Sequence, residues 1–314
     1  MSRIHDALRK AEQDRAADLS AEGAEVGSTP ADTLFRPVLP TEPEPGLESR
    51  EPVMDPSHGW EWPDAMTIEG WMAGCAQSSW QPDARSVLFM NPANAQSGVE
   101  EFRTLRTQLI QAREKLPLQT ILVTSALAGE GKTFVAANLA HAFVQQQERR
   151  VLLIDADLRL SKLHALLGTE RCPGLAEYLS GEVEASSIFQ RGAPGNLFFI
   201  PGGKAVSNPI ELIGNGRLKG LLHRAAPLFD WVVVDSPPCV PLSDASLLAD
   251  LMDGVLMVVR SGKTPFDAAQ KAKEMFRDRH LLGVVLNQVP PQATNSAYYY
   301  HPVEQQPDKN GSKG

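Results

Sequence analysis

The stretch Thr120-Ile121-Leu122-Val123-Thr124-Ser125-Ala126-Leu127-Ala128-Gly129-Glu130-Gly131-Lys132-Thr133 decides how this chain reads. It starts as a short aliphatic run, turns through a loop of small residues, reaches a lysine and opens the helical stretch Phe134 to Gln147. Strand, loop, lysine and helix in that order suit a phosphate group. Glycines let backbone N–H groups wrap phosphate oxygens, a helix N-terminus favours an anion, Lys132 reaches the outer phosphates and the Thr133 hydroxyl can ligate magnesium. The candidate nucleotide-binding residues are therefore Ala128, Gly129, Glu130, Gly131, Lys132, Thr133 and Phe134. Ala126 stands where the usual pattern begins with glycine.

Two further stretches agree with that reading. Val151-Leu152-Leu153-Ile154-Asp155-Ala156-Asp157-Leu158-Arg159 ends an aliphatic run with two carboxylates, and Val232-Val233-Val234-Asp235-Ser236-Pro237-Pro238 ends another with one. Ligands of open α/β sheets bind at strand C-termini. An unpaired carboxylate is costly in a core but well suited to hold Mg2+ directly or through water. Further aliphatic runs lie at Leu197 to Ile200, Trp231 to Val234, Gly254 to Val259 and Gly283 to Leu286, separated by stretches long enough for crossover helices. All the runs look buried on both faces. The expected fold is α/β of the P-loop NTPase type: a mostly parallel sheet with helices on both faces, over residues 91–290.

With 314 residues, 42% hydrophobic, 24 Gly and 24 Pro, the chain is globular with loop-rich parts, which excludes collagen, coiled coil and wholesale disorder. The longest uncharged stretch that looks buried, Thr133 to Gln147, contains Asn138, His141 and three Gln, so no membrane helix is expected. The charged N-terminus carries no secretory signal, and a cytoplasmic location is the default expectation. Cys75, Cys172 and Cys239 are widely spaced, without a Cys-x-x-Cys pair, and read as small buried thiols.

The net charge of -8 is uneven. Residues 12–90 hold 15 Asp/Glu against 4 Lys/Arg, and the rest holds 23 against 26. A core near +3 without a basic run argues against nucleic acid as a partner. The acidic segment is also rich in proline, so 16–90 reads as a linker. Trp60, Trp62, Trp71 and Trp80 fall inside it, and they fit either a docking motif or a short piece lying on the main domain. Ahead of it, 1–15 reads as a short amphipathic helix, with Ile4, Ala7, Leu8 and Ala11 at helical spacing; it suits contact with a partner or lipid, or packing on its own domain. At the other end, 291–314 is a flexible tail in which Tyr298, Tyr299 and Tyr300 are adjacent; the fourth tyrosine is Tyr178.

Over about 95–300 these residues resemble the bacterial tyrosine kinases, autokinases of capsule and exopolysaccharide synthesis whose nucleotide site is a P-loop of the partition-ATPase lineage. The resemblance makes Lys132 and Thr133 the Walker A pair, Asp155 and Asp157 the Walker A' acids and Asp235 the Walker B acid. It implies ATP and Mg2+ as cofactors, with Lys132, Asp155, Asp157 and Asp235 catalytic, Thr133, Asp155 and Asp235 serving the metal, and Asp157 accepting the tyrosine proton. Asn287, after the last strand, is the candidate contact to the adenine base. Glu100, Arg103 and Arg106 match the family's Glu-x-x-Arg-x-x-Arg pattern, which implies a homo-oligomer assembled through that helix. Tyr298, Tyr299 and Tyr300 become the phosphoacceptors, offered in trans: the 11 residues from Asn287 span about 36–40 Å when extended. Met1 to Glu12 further resembles the exosortase-associated subset. The implied partners are an inner-membrane chain-length (copolymerase) protein that activates the kinase and tethers it peripherally to the membrane, and a cognate phosphatase. Proline is missing after Arg159, and the linker has no counterpart in the family. The alternative is a partition or positioning switch ATPase, or a nucleotide-binding scaffold without kinase activity. Switch ATPases usually carry a second lysine where this chain has Leu127.

Overall fold

The computed structural model describes residues 75–77, 79–83, 86–90, 98–146, 149–192 and 195–290, all within the unit Met54–Gly314. The N-terminal helix, most of the linker with Trp60, Trp62 and Trp71, and the tail with Tyr298 to Tyr300 lie outside the described residues. In chain order the structure runs β1 (Ala76–Gln77), a 3-10 turn (Leu88–Met90), α1 (Val99–Arg113), β2 (Thr120–Ser125), α2 (Lys132–Val144) and β3 (Val151–Asp155). It continues through α3 (Leu163–Leu167), α4 (Leu175–Leu179), β4 (Gln190–Arg191), β5 (Leu197–Ile200), α5 (Pro209–Gly214), α6 (Arg217–Ala225) and β6 (Trp231–Asp235). Helix α7 (Asp244–Ala249), β7 (Gly254–Arg260), α8 (Phe266–Met275) and β8 (Leu281–Asn287) complete it.

The strands form one sheet in the order β1-β4-β5-β3-β6-β2-β7-β8, and every pairing is parallel except β4 with β5. All six aliphatic runs of the sequence are strands here. Alternation along each strand feeds two cores: Leu122, Leu152, Phe198 and Val232 on one face, Ile121, Leu153, Phe199 and Val233 on the other. Helix α2 is buried at every position from Val135 to Val144, because the sheet lies under it and α1 over it. Its Phe143 stacks on Trp231 at 4.3 Å between ring centroids.

The expectation of burial on both faces fails at β8. Among the described residues this strand pairs only with β7, and Val284 and Leu286 are 41% and 56% exposed, as an edge position allows. Strands β1 and β4 have two residues each, too short to give a periodic signal.

Residues 79–83 and 86–89, read from sequence as part of the linker, pack on the domain. Gln81 N donates to Gly168 O (3.1 Å) and Asp83 N to Leu166 O (3.2 Å). Leu88 N donates to Asn138 Oδ1, and Asn138 Nδ2 donates to Ser86 O, both at 2.8 Å. Val87 is fully buried, and Trp80 meets Phe199 edge-on at 6.0 Å. A Cβ on Gly192 would fall within 2.4 Å of the Trp80 ring, so glycine there makes room for the indole. The segment is held by a few anchors and backbone hydrogen bonds, which leave no apolar period to read. Cys75 and Cys239 are buried as expected; Cys172 is exposed. No helix among the described residues is long and apolar enough to cross a membrane.

Candidate active site

The loop after β2 is shaped by two glycines with positive φ, Gly129 at 82° and Gly131 at 96°. Gly131 has a second constraint: a Cβ there would sit 2.0 Å from Asn287 Nδ2. Gly131 is also the N-cap of α2 and supplies no capping side chain, so the first N–H groups of a 13-residue helix face the loop without a side-chain acceptor. Ala128 and Gly129 form its exposed tip. This is a cradle for an anion.

The three acids gather beside it at strand ends. Asp155 and Asp235 pair in register across β3 and β6. Asp155 is fully buried and heavily hydrogen-bonded: Oδ2 accepts from Ser161 Oγ (2.8 Å), Lys162 N (3.1 Å) and Leu163 N (3.1 Å), and Oδ1 accepts from Asp157 N (3.2 Å). Ser161 stands in the stretch after Arg159 that lacks the family's proline, and it uses its hydroxyl on this acid. Burial pushes Asp155 up to about 6 against those bonds. Asp235 is pushed up to about 8 by burial, with Lys132 opposing and Asp155 adding. The nearby Thr133 hydroxyl also opposes the rise, and among the described residues Asp235 Oδ1 is buried without a hydrogen-bond partner.

Asp157 Oδ2 accepts from Lys132 Nζ at 3.1 Å, and its Oδ1 accepts from Leu160 N at 3.0 Å. Burial works to lower the Lys132 ammonium, but Asp235, Asp157 and Asp155 together outweigh it and hold the group above its ordinary value. Three carboxylates against one ammonium leave surplus negative charge in a buried site. A hard divalent cation would relieve it, and the orphaned Asp235 Oδ1 beside the Thr133 hydroxyl offers the oxygen donors such an ion takes. Among the described residues no group of three His, Cys, Asp or Glu side chains is placed to hold a metal ion by itself.

Other sequence-derived candidates are engaged differently. Asn287 reaches the loop: Nδ2 donates to Glu130 O and Oδ1 accepts from Gln288 N, each at 2.9 Å. The Phe134 ring packs edge-on against Phe102 at 5.9 Å, leaving its main chain to the loop. The Glu130 side chain turns inward and is 3% exposed. Arg103 pairs with Glu100 on the exposed face of α1, whereas Arg106 Nη1 donates to Ala142 O (2.9 Å) near the end of α2. The three motif charges therefore do not share one surface. Tyr178 is buried beneath the Arg217 guanidinium, 4.9 Å from the ring centre.

One partner pair escaped the sequence reading. Arg159 clasps the buried Asp244 through Nε to Oδ2 (2.7 Å) and Nη2 to Oδ1 (3.1 Å), tying the segment after Asp157 to the first turn of α7. Arg159 lies in the quoted motif; Asp244 carried no signal beyond an acid before a short helix.

The chain matches the CobQ/CobB/MinD/ParA nucleotide binding domain model over residues 121–304. It is 35% identical over 205 residues to tyrosine-protein kinase YwqD of Bacillus subtilis, covering 65% of this chain and 86% of that protein. It is 34% identical over 213 residues to tyrosine-protein kinase wzc of Salmonella typhi, covering 67% of this chain but 30% of the relative's length. Among solved structures, the kinase domain of Escherichia coli tyrosine kinase ETK superposes with a TM-score of 0.61 at 32% identity, over 67% of this chain and 83% of that one. The chimerical protein CapA2B2 gives 0.62 at 28% identity, over 71% and 98%. With the phosphate cradle after β2, the acids ending β3 and β6 and these likenesses, the chain belongs to the bacterial tyrosine-protein kinases, built on the CobQ/CobB/MinD/ParA nucleotide-binding domain.

Proposed function

We propose that this protein is an ATP- and Mg2+-dependent tyrosine autokinase that phosphorylates Tyr298, Tyr299 and Tyr300 of a neighbouring copy and thereby regulates exopolysaccharide or capsule chain length. The observation that carries the reading is the Lys132 Nζ to Asp157 Oδ2 contact of 3.1 Å. It sets the residue that would grip the outer phosphates beside the acid that would take the acceptor's proton. Loop N–H groups and the start of α2 bind and orient the phosphates. Lys132 moves from Asp157 to the phosphates, which frees Oδ2. The tyrosine oxygen then bonds to the γ-phosphorus as the bond to ADP breaks, ADP leaves with that electron pair, and the phenolic proton passes to Asp157. Thr133 and Asp235, with Asp155 beside them, would hold Mg2+, which would supply positive charge to the phosphate oxygens.

Glu100 and Arg103, exposed on α1, are the motif charges best placed to meet another subunit in a homo-oligomer. Tails carrying about -1.5 to -2 per phosphate would repel one another, giving a cycle of assembly and release that a phosphatase resets. The family resemblance supports activation by a separate inner-membrane chain-length protein and a peripheral place at that membrane.

The test is to incubate the chain with Mg-ATP, with and without the cytosolic part of such a partner, and to map phosphotyrosine by mass spectrometry with Lys132→Met as the blank. Phosphate on Tyr298 to Tyr300 that vanishes in the blank is expected. ATP turnover without phosphotyrosine would make the chain a switch ATPase; binding without turnover would make it a scaffold.

A further inference from the structure

Glu130 presents a physical puzzle. A buried carboxylate beside a loop that receives phosphates adds like charge where cations would serve better, and burying it is costly unless it is well bonded. Among the described residues it makes no ion pair. Instead Oε2 accepts from Leu127 N at 2.9 Å, across the loop itself, and Oε1 accepts from the Thr264 hydroxyl. Thr264 Oγ1 in turn accepts from Arg260 N (2.8 Å) at the end of β7. The main chain of the same residue accepts from Asn287 Nδ2 (2.9 Å) at the end of β8. One residue thus fastens the phosphate loop to itself and to the two strands on the far side of β2. Thr264 lies 134 positions from Glu130 in sequence, and no motif links the two.

We infer that Glu130 and Thr264 are positioning residues: their side chains brace the phosphate loop in its binding conformation before nucleotide arrives. The inference rests on the reading of this loop as the nucleotide site. The loop contains two glycines with positive φ, and a glycine segment loses much conformational freedom when it is ordered. If that loss falls on folding rather than on binding, affinity rises without any contact between the brace and the nucleotide. The template needs an acceptor for Leu127 N and a partner for Thr264 Oγ1, and it does not need the charge. A glutamine supplies both, with its oxygen accepting from Leu127 N and its amide donating to Thr264 Oγ1.

The test titrates the full chain with MgADP by calorimetry, and follows kcat and KM for ATP in phosphotyrosine formation. Glu130→Ala is expected to weaken MgADP binding about tenfold or more, the cost of leaving buried loop donors unpaired, and to raise KM for ATP by a larger factor than it lowers kcat. Glu130→Gln is expected to recover most of the affinity that Glu130→Ala loses, and Thr264→Ser to bind more tightly than Thr264→Val. Thr264→Val should weaken binding by about threefold to tenfold. Unmodified affinity in a folded Glu130→Ala chain would overturn the brace, as would a glutamine variant as weak as the alanine one. Should Glu130→Ala fail to fold, Thr264→Val decides alone, and unchanged affinity there overturns the inference. Failure of the underlying site looks different: the unmodified chain and Lys132→Met would then both show no MgADP binding.

Discussion

Asp155 and Asp235 stand opposite each other in register where β3 and β6 end, both buried and both shifted upward, and Asp235 Oδ1 has no hydrogen-bond partner among the described residues. The pair differs in what surrounds it. Asp155 is enclosed by four donors, while Asp235 has the Thr133 hydroxyl and the Lys132 ammonium. Burial is the first cause of the rise in both acids.

The sign of the resulting pH dependence follows. An acid whose folded value is raised from 3.8 to about 8 holds its proton more tightly in the folded chain, so its contribution is lost as pH rises toward 8. Buried His141 works oppositely: burial depresses it, and its contribution is lost as pH falls below the ordinary histidine range. Above pH 7 the acid dominates this comparison. Without nucleotide or Mg2+, Asp235→Asn should melt at least about 3 °C above the unmodified chain at pH 9, with a smaller gap at pH 7. Adding Mg2+ should stabilise the unmodified chain more at pH 9 than at pH 7, because the ion takes the place of a proton. Thermal melts at the two pH values check both signs, and a gap that shrinks as pH rises would show that Asp235 is already ionised.

The clasp of Arg159 on Asp244 has an asymmetric cost. Asp244 is 1% exposed while the arginine side chain is 35% exposed. Removing the arginine strands a buried carboxylate, whereas removing the acid leaves a cation that can turn to solvent. Arg159→Ala should therefore cost about 2 kcal/mol, below the range for fully buried pairs because one partner is half in water, and Asp244→Asn about 1 kcal/mol. Equilibrium urea unfolding measures both. Arg159→Ala should also lower phosphate transfer, since Arg159 lies two residues after Asp157 and the clasp anchors that segment to α7. Equal stability losses in the two variants would mean that the carboxylate is not the costly member.

The strands and the phosphate loop were legible because each is encoded locally. Thr120–Ser125 and Trp231–Asp235 are buried end to end and read as short strands around the aliphatic runs Ile121–Val123 and Val232–Val234, and an acid that ends such a run has no plausible core role. What escaped the reading depends on pairing at long range. Asn138 anchors the chain near Ser86, Thr264 meets Glu130, and Asp244 meets Arg159, at separations of 52, 134 and 85 residues. A hydrogen bond between distant polar groups leaves no period in a sequence. Edge exposure is equally hidden, since Leu281–Asn287 looks like the central strands until the sheet order places it at the end of the sheet formed by the described residues.

The α1 motif separates two roles that its spacing had joined. Arg103 and Glu100 are exposed and pair with each other, and such a surface pair contributes about 0–1 kcal/mol. Arg106 instead donates to Ala142 O close to the C-terminus of α2, where a cation also faces the negative end of the helix dipole. Arg106→Ala should therefore cost about 1–2 kcal/mol in the isolated chain, through the lost bond and the dipole together. Arg103→Ala should leave the melting temperature within about 1 °C and act only on self-association. Sedimentation velocity beside thermal melts separates the two. If both variants dissociate an oligomer and neither shifts the melt, then Arg106 leaves α2 to join the interface, and the helix that follows the phosphate loop would feel assembly directly.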